Sequence, residues 1–224
     1  MSDAIRRKRL GLVGLCLMAA FLGCQFLGCQ VNDAPQVFNK TPNLRVYQRA
    51  VQPSIRRIVV LPIQSRRNHW EFANQLRQEV SQQLSAFSGI EIIELSQNDL
   101  VWCQQNLVTR GSLDERFLAR MHREYRADAV LFSNLEVRRA YAPQSADLSC
   151  YLIHTHESVV ANSVSGTWDL KRPSDQARFQ CYIQNLSLDM DAQTWAQDSP
   201  RIFAGFVARD TTHGLLNPGN GQPN

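Results

Sequence analysis

The chain has 224 residues, 44% of them hydrophobic and 20% charged, which suits about one packed domain with tails and excludes a wholly disordered chain. Its formal net charge is +4, but Arg6, Arg7, Lys8 and Arg9 form one amino-terminal cluster near Asp3. Without those five residues the charge falls to +1, so no charge argument points to nucleic acid.

The basic cluster leads into an apolar run, Leu10 to Leu22, that ends in Phe21-Leu22-Gly23-Cys24. The same four letters recur as Phe26-Leu27-Gly28-Cys29. A spanning helix needs roughly 18 or more apolar residues, whereas a signal-peptide core has on the order of 7–15. The run is of the shorter kind. Its ending resembles a bacterial lipobox, although Phe and Leu stand where that pattern usually has Leu and a small residue. The resemblance implies cleavage of residues 1–23 and lipidation (palmitate among the acyl chains) at Cys24, with Cys29 the alternative. Choosing Cys29 would place polar Gln25 inside the leader. An uncleaved anchor or ordinary secretory leader is the plainer reading, and it shares the compartment. Gln25 is not the aspartate tied to inner-membrane retention, which sets the expectation of an outer-membrane anchor facing the periplasm.

Residues 24–54 are polar, with Pro35, Pro42 and Pro53, and are expected to be a flexible linker. A single α/β domain is expected over 55–210. Ile58-Val59-Val60-Leu61-Pro62-Ile63 reads as a strand buried on both faces. Phe72, Leu76, Val80, Leu84 and Phe87 recur at helical spacing up to Ser88-Gly89, and Ile90–Leu95 reads as a second strand. Ser96 with Asp99 approximates a capping box for a short helix through Leu100 and Trp102. Ser112 with Glu115 opens another, whose apolar face is Phe117, Leu118, Met121 and Tyr125.

A third strand is centred on Ala129–Phe132. Leu148–Ile153 and Val159–Asp169 flank His154-Thr155-His156-Glu157 and read as a hairpin. Gln180–Leu186 either extends the sheet or covers it. Ser199-Pro200 opens a last helix with Ile202, Phe203, Phe206 and Val207 on its buried face. Residues 211–224 are expected to be a disordered tail. The sum is an α/β fold with a mixed sheet of about 4–6 strands packed with helices.

That order of pieces, with IVVLPI, then Ala127-Asp128-Ala129-Val130-Leu131-Phe132, then a hairpin closing on Gly166-Thr167-Trp168-Asp169, resembles a known group of periplasmic domains. They are those of the curli-secretion (CsgG-like) lipoproteins, the penicillin-binding-protein activators and the TolB amino-terminal domain. The resemblance spans about Ile58 to Asp169. Ser133 replaces a frequent glycine, and HTHES replaces the usual hairpin turn. It implies a mixed α/β fold with a binding or assembly role, and carries over no catalytic residue.

Chemistry finds little support in the motifs. His154 and His156 share a face of an extended strand, with Glu157 beside them, so they are weak candidates for a metal site; a polar turn is the plainer reading. Asp189-Met190-Asp191 begins like a calcium loop, but Thr194 and Pro200 stand where glycine and glutamate are needed. No nucleophile elbow, zincin helix, phosphate loop or dinucleotide fingerprint occurs, so no catalytic residue and no cofactor are expected. Beyond the leader remain Cys103, Cys150 and Cys181. One disulfide, Cys150–Cys181, is the candidate, against three buried thiols acting as small hydrophobes. Trp168 and Trp195 read as a groove lining or, more simply, as packing. Arg56, Arg57, Arg66 and Arg67 read as a solvated rim or an acidic-partner contact.

The expected function is therefore non-enzymatic. An envelope lipoprotein, held to the membrane by its lipid, would bind an unidentified envelope protein in export, assembly or wall-enzyme regulation. The alternatives are a CsgG-like homo-oligomeric secretion pore and, further off, a metal-dependent hydrolase. A pore would need further membrane-spanning strands, since only the two hairpin strands approach the length and alternation required.

Overall fold

The run Ile58–Leu61 carries apolar side chains at successive positions because helices lie on both faces of the sheet there. The computed structural model describes residues 44–48, 54–110, 114–186, 188 and 195–216, and the side chains of these except 48, 67 and 104–110. Six strands form one sheet: β1 (Leu44–Gln48), β2 (Arg57–Val60), β3 (Glu91–Ile93), β4 (Ala129–Arg139), β5 (Ser145–His154) and β6 (Val160–Asp169). Their spatial order is β1-β6-β5-β4-β2-β3. β2 pairs in parallel with β3 and β4, and the other pairs are antiparallel, so the sheet is mixed.

Among the described residues five helices pack on the sheet: α1 (Trp70–Ser85), α2 (Gln97–Arg110), α3 (Glu115–Tyr125), α4 (Pro173–Gln184) and α5 (Pro200–Leu216). α1 forms as its spacing predicts, burying Phe72, Ala73, Leu76, Val80 and Leu84. Full burial of a side chain such as Leu76 contributes about 1.5–3 kcal/mol, more than the local propensity of any one residue. Gly89, at φ +85°, supplies the left-handed residue that turns the chain into β3. α2 opens on the expected box, in which Ser96 Oγ accepts from Asp99 N at 3.2 Å and donates to Asp99 Oδ2 at 2.7 Å. It runs on to Arg110, well past the short helix expected. The cap of α3 is Asp114, two residues after the expected one, and it accepts from Arg116 N at 3.1 Å; Ser112 lies outside the described residues.

The helices divide unevenly between the faces. α1, α4 and α5 pack on one face against Ile58, Leu131, Leu148, Cys150, Val164 and Trp168. α2 and α3 pack on the other, against Val59, Leu61, Val130 and Phe132, with Tyr151 and Ile153 at the margin. β5 and β6 each keep one face in the first core, as does β4, so the three strands that reach membrane-spanning length pair within this sheet.

Two boundaries differ from the sequence expectation, and one of two expected placements is decided. The linker 24–54 is interrupted by β1, whose Leu44 and Val46 pack against the core while Leu44 pairs with Gly166. The tail 211–224 is helical as far as Leu216, with Thr211, Thr212 and Leu215 buried. Thr211 tolerates the helix because its hydroxyl donates to the Val207 carbonyl at 2.7 Å. Residues 180–186 neither extend the sheet nor form a strand, because Phe179, Tyr182 and Ile183 fall on one face of α4, which covers the sheet. Residues 1–43 and 217–224, including Cys24 and Cys29, lie outside the described residues.

Candidate functional site

Beyond the reach of α2 and α3, no helix among the described residues lies on the second face of the sheet, and its residues change character accordingly. β4 presents Asn134, Glu136 and Arg138 there; β5 presents Asp147, Ser149 and Tyr151; β6 presents Ser163, Ser165 and Thr167. β1 adds Arg45 opposite Ser165 and Tyr47 opposite Ser163. Alternation explains this: each strand buries every second residue under α1, α4 and α5 and gives a polar residue to the open face.

The register arranges the face in rows. Asn134, Ser149, Ser165 and Arg45 form one row across four strands, and Glu136, Asp147 and Thr167 form the next. Ser165 Oγ donates to Ser149 Oγ at 3.0 Å. Asp147 is held from two sides, accepting from Thr167 Oγ1 at 2.6 Å and from Arg138 Nε at 2.6 Å. That hydrogen bond, with the charge of Asp147, raises the Arg138 guanidinium above its usual value. A shallow groove of about 460 Å³ lies over these rows, lined by Arg45, Arg138, Asp147, Ser149, Ser165, Thr167 and Arg172. The surface is flat, hydroxyl-rich and fixed by cross-strand bonds.

The residues singled out by sequence go elsewhere. His154 ends β5, and its Nδ1 accepts from the Glu157 backbone N–H at 3.3 Å, within the hairpin turn. His156 leaves it and meets His122 of α3 edge-on, with ring centroids 5.7 Å apart. Thr155 between them is buried and donates to the carbonyls of Ala127 and Asp128, at 2.5 and 2.9 Å. The two histidines thus point to different neighbours, and among the described residues no three His, Cys, Asp or Glu side chains converge as a ligand set. The contact with His122 is long-range and leaves no mark in the local sequence. Residues 189–194 lie outside the described residues.

Cys150 and Cys181 do not pair. Cys150 is fully buried on β5, receiving a hydrogen bond from Ser133 Oγ at 3.1 Å, while Cys181 lies on the exposed side of α4. The inward face of α4 is taken by Phe179, Tyr182 and Ile183, which aims Cys181 away from the sheet. The two tryptophans also part company. Trp168 is buried, donating from Nε1 to Asp210 at 2.8 Å, and Trp195 is exposed. Arg57 pairs with Glu91 at 3.0 Å and Arg66 with Glu136 at 3.5 Å, as rim residues do. The open rows themselves were missed, although Asp147-x-Ser149-x-Tyr151 and Ser163-x-Ser165-x-Thr167 carry their signal as alternation.

No protein-family model matches the chain, and no curated protein is similar to it in sequence. Solved structures that share a distant similarity include three. Two are PelC dodecamers from Paraburkholderia phytofirmans, one of them carrying a leucine-to-methionine substitution. They are 13% and 14% identical to this chain, with TM-scores of 0.45 and 0.44, each similarity covering 80% of this chain and 98% of the other. The third is lipoprotein GNA1162 from Neisseria meningitidis, 12% identical, with a TM-score of 0.41, covering 60% of this chain and 98% of its own.

Proposed function

We propose that this chain is a lipid-anchored protein of the bacterial cell envelope whose α/β domain binds a protein partner through the open half of its sheet. The observation that carries the reading is the second face of β4, β5, β6 and β1, which no helix among the described residues covers, while α1, α4 and α5 pack on the first face. The leader ending at Cys24, with Cys29 the alternative, supports the envelope location. Gln25 supports the outer membrane, facing the periplasm.

The reading has the protein act by binding and not by catalysis. Burial pushes the Cys103 thiol up to about 11 and the Cys150 thiol up to about 12, so neither supplies a thiolate near neutral pH. The roles it fits are export, envelope assembly or regulation of a wall enzyme.

The test is site-specific photo-crosslinking in native membranes, with benzoylphenylalanine replacing Tyr47 or Ser163 on the open face, or Arg123 and Gln176 on the exposed sides of α3 and α4. The expected result is one adduct of defined mass at Tyr47 and Ser163, absent at the helix positions and lost when Ser149→Arg crowds the rows. An adduct at twice the chain mass identifies the partner as a second copy. Adducts spread evenly over all four positions, or none, would overturn the reading.

A further inference from the structure

Among the described residues, Tyr47, Trp70, Val101, Trp102, Tyr141 and Trp195 are the large hydrophobic side chains left exposed. Three of them gather at one end of the sheet. Trp70 opens α1, Tyr141 lies in the β4–β5 loop, and Trp195 lies just ahead of the turn that leads into α5; they are 64%, 83% and 77% exposed. The segments that carry them are tied together. Gln144 Nε2, from the loop, donates to the Asp198 carbonyl at 3.0 Å, and Asp198 N donates to the Trp195 carbonyl at 3.2 Å. The first turns of α1 and α5 meet where Phe72 stacks on Phe203 at 6.0 Å.

This is the end at which β4 and β6 finish and β5 begins. It is also where β1 begins, because Leu44 pairs with Gly166, three residues from the end of β6. The polypeptide that precedes the domain therefore reaches it at the aromatic end. From Cys24 to Leu44 there are twenty residues. A flexible coil of that length would span about 25 Å on average and at most about 70 Å when fully extended. A lipid on Cys24 would on average hold the aromatic end within roughly one domain diameter of the bilayer. Lys171 and Arg172 are exposed just past β6, and Arg201 is exposed at the start of α5. Of the others, Tyr47 lies on the open face nearer the His154–Val159 turn, opposite Ser163, and Trp102 stacks on Phe117.

Single exposed apolar residues need no explanation, but Trp and Tyr grouped with Lys and Arg match the chemistry of a lipid headgroup layer. An indole or phenol places its ring among the upper acyl carbons and its N–H or O–H in water, and cationic side chains extend to the phosphates. We infer that this end of the domain lies against the surface of the bilayer that holds its anchor, with Trp70, Tyr141 and Trp195 in the headgroup layer and Lys171 and Arg172 facing lipid phosphates. The inference rests on the anchored reading above and is independent of which partner covers the open sheet face.

Tryptophan quenching by lipids with brominated acyl chains tests it. The protein purified with its native amino terminus is weighed intact and reconstituted into vesicles of phosphatidylethanolamine and phosphatidylglycerol. The expected result is loss of the emission of two of the four tryptophans. The quenched fraction should disappear in the Trp70→Phe/Trp195→Phe double variant and persist in Trp102→Phe, since Trp102 stacks on Phe117 on the α2–α3 side. A protein that carries acyl groups by mass yet is unquenched overturns the inference and leaves the anchor standing. A protein without acyl groups that fails to float with the vesicles overturns both.

Discussion

Cys150 and Cys181 lie in the same half of the chain and differ in almost everything that governs a thiol. The first is sealed on β5 and pushed up to about 12 by burial; the second faces solvent on α4. We predict that a disulfide-exchange reagent at pH 8 labels Cys181 in the native domain, and labels Cys103 and Cys150 only in denaturant. Equal native labelling of Cys150 would show that the core opens easily. A second residue-scale test concerns Arg178, which is paired with the fully buried Asp175 at 3.3 Å and with Asp210. Asp210 also accepts from Trp168. Arg178→Met strands two buried carboxylates and should cost about 3–5 kcal/mol in urea unfolding. Burial raises the Asp210 carboxyl above its ordinary value of 3.8, with Arg178 acting against the rise. The folded state therefore holds that proton more tightly than the unfolded chain. Stability from this group is greatest below the ordinary value, falls as pH rises to the raised one, and is level beyond it. Urea midpoints measured across that acid range should show a shallower fall in Asp210→Asn. None of this network was legible beforehand: Trp168, Arg178 and Asp210 come from three elements, and only folding joins them.

The elements were legible in proportion to the strength of their periodicity. α1 declared itself through five apolar residues on one stripe, and β2 through an unbroken apolar run. β1 offered only Leu44 and Val46 between prolines, so its strand character comes from the β6 edge that it covers. The end of α5 was hidden by Thr211, Thr212 and Gly214, poor helix formers placed by tertiary contact. Asn162 shows why the helix continues: its buried Nδ2 donates to the Leu215 carbonyl at 2.7 Å. Ending the chain at Asp210 removes that acceptor and the buried Leu215. We expect a loss of at least about 1–3 kcal/mol, read as a lower urea midpoint. Close packing sets another limit at Gly166, where an added Cβ would lie 2.6 Å from the Trp168 ring and 3.0 Å from Leu44. Gly166→Ala should therefore cost about 1–3 kcal/mol and loosen β1, visible as faster amide exchange at Arg45–Tyr47.

At the scale of the whole molecule, the sheet is two structures sharing β4. Among the described residues, helices cover the parallel β3-β2-β4 part on both faces and the antiparallel β4-β5-β6-β1 part on one. Sequence reading reached the mixed sheet and its helices, because apolar periodicity reports burial. It did not reach the open rows, because a polar residue on a half-buried strand looks the same whether water or a partner will cover it. The entry of the chain through β1 has a mechanical consequence. If the lipid holds one end and a partner grips the open face, tension between them enters the domain at Leu44 and runs along the strand. The β1–β6 hydrogen bonds lie across that direction, so they resist together, in shear, and do not peel apart one at a time. A strand too inconspicuous to announce itself in the sequence would then be the joint through which the domain bears load.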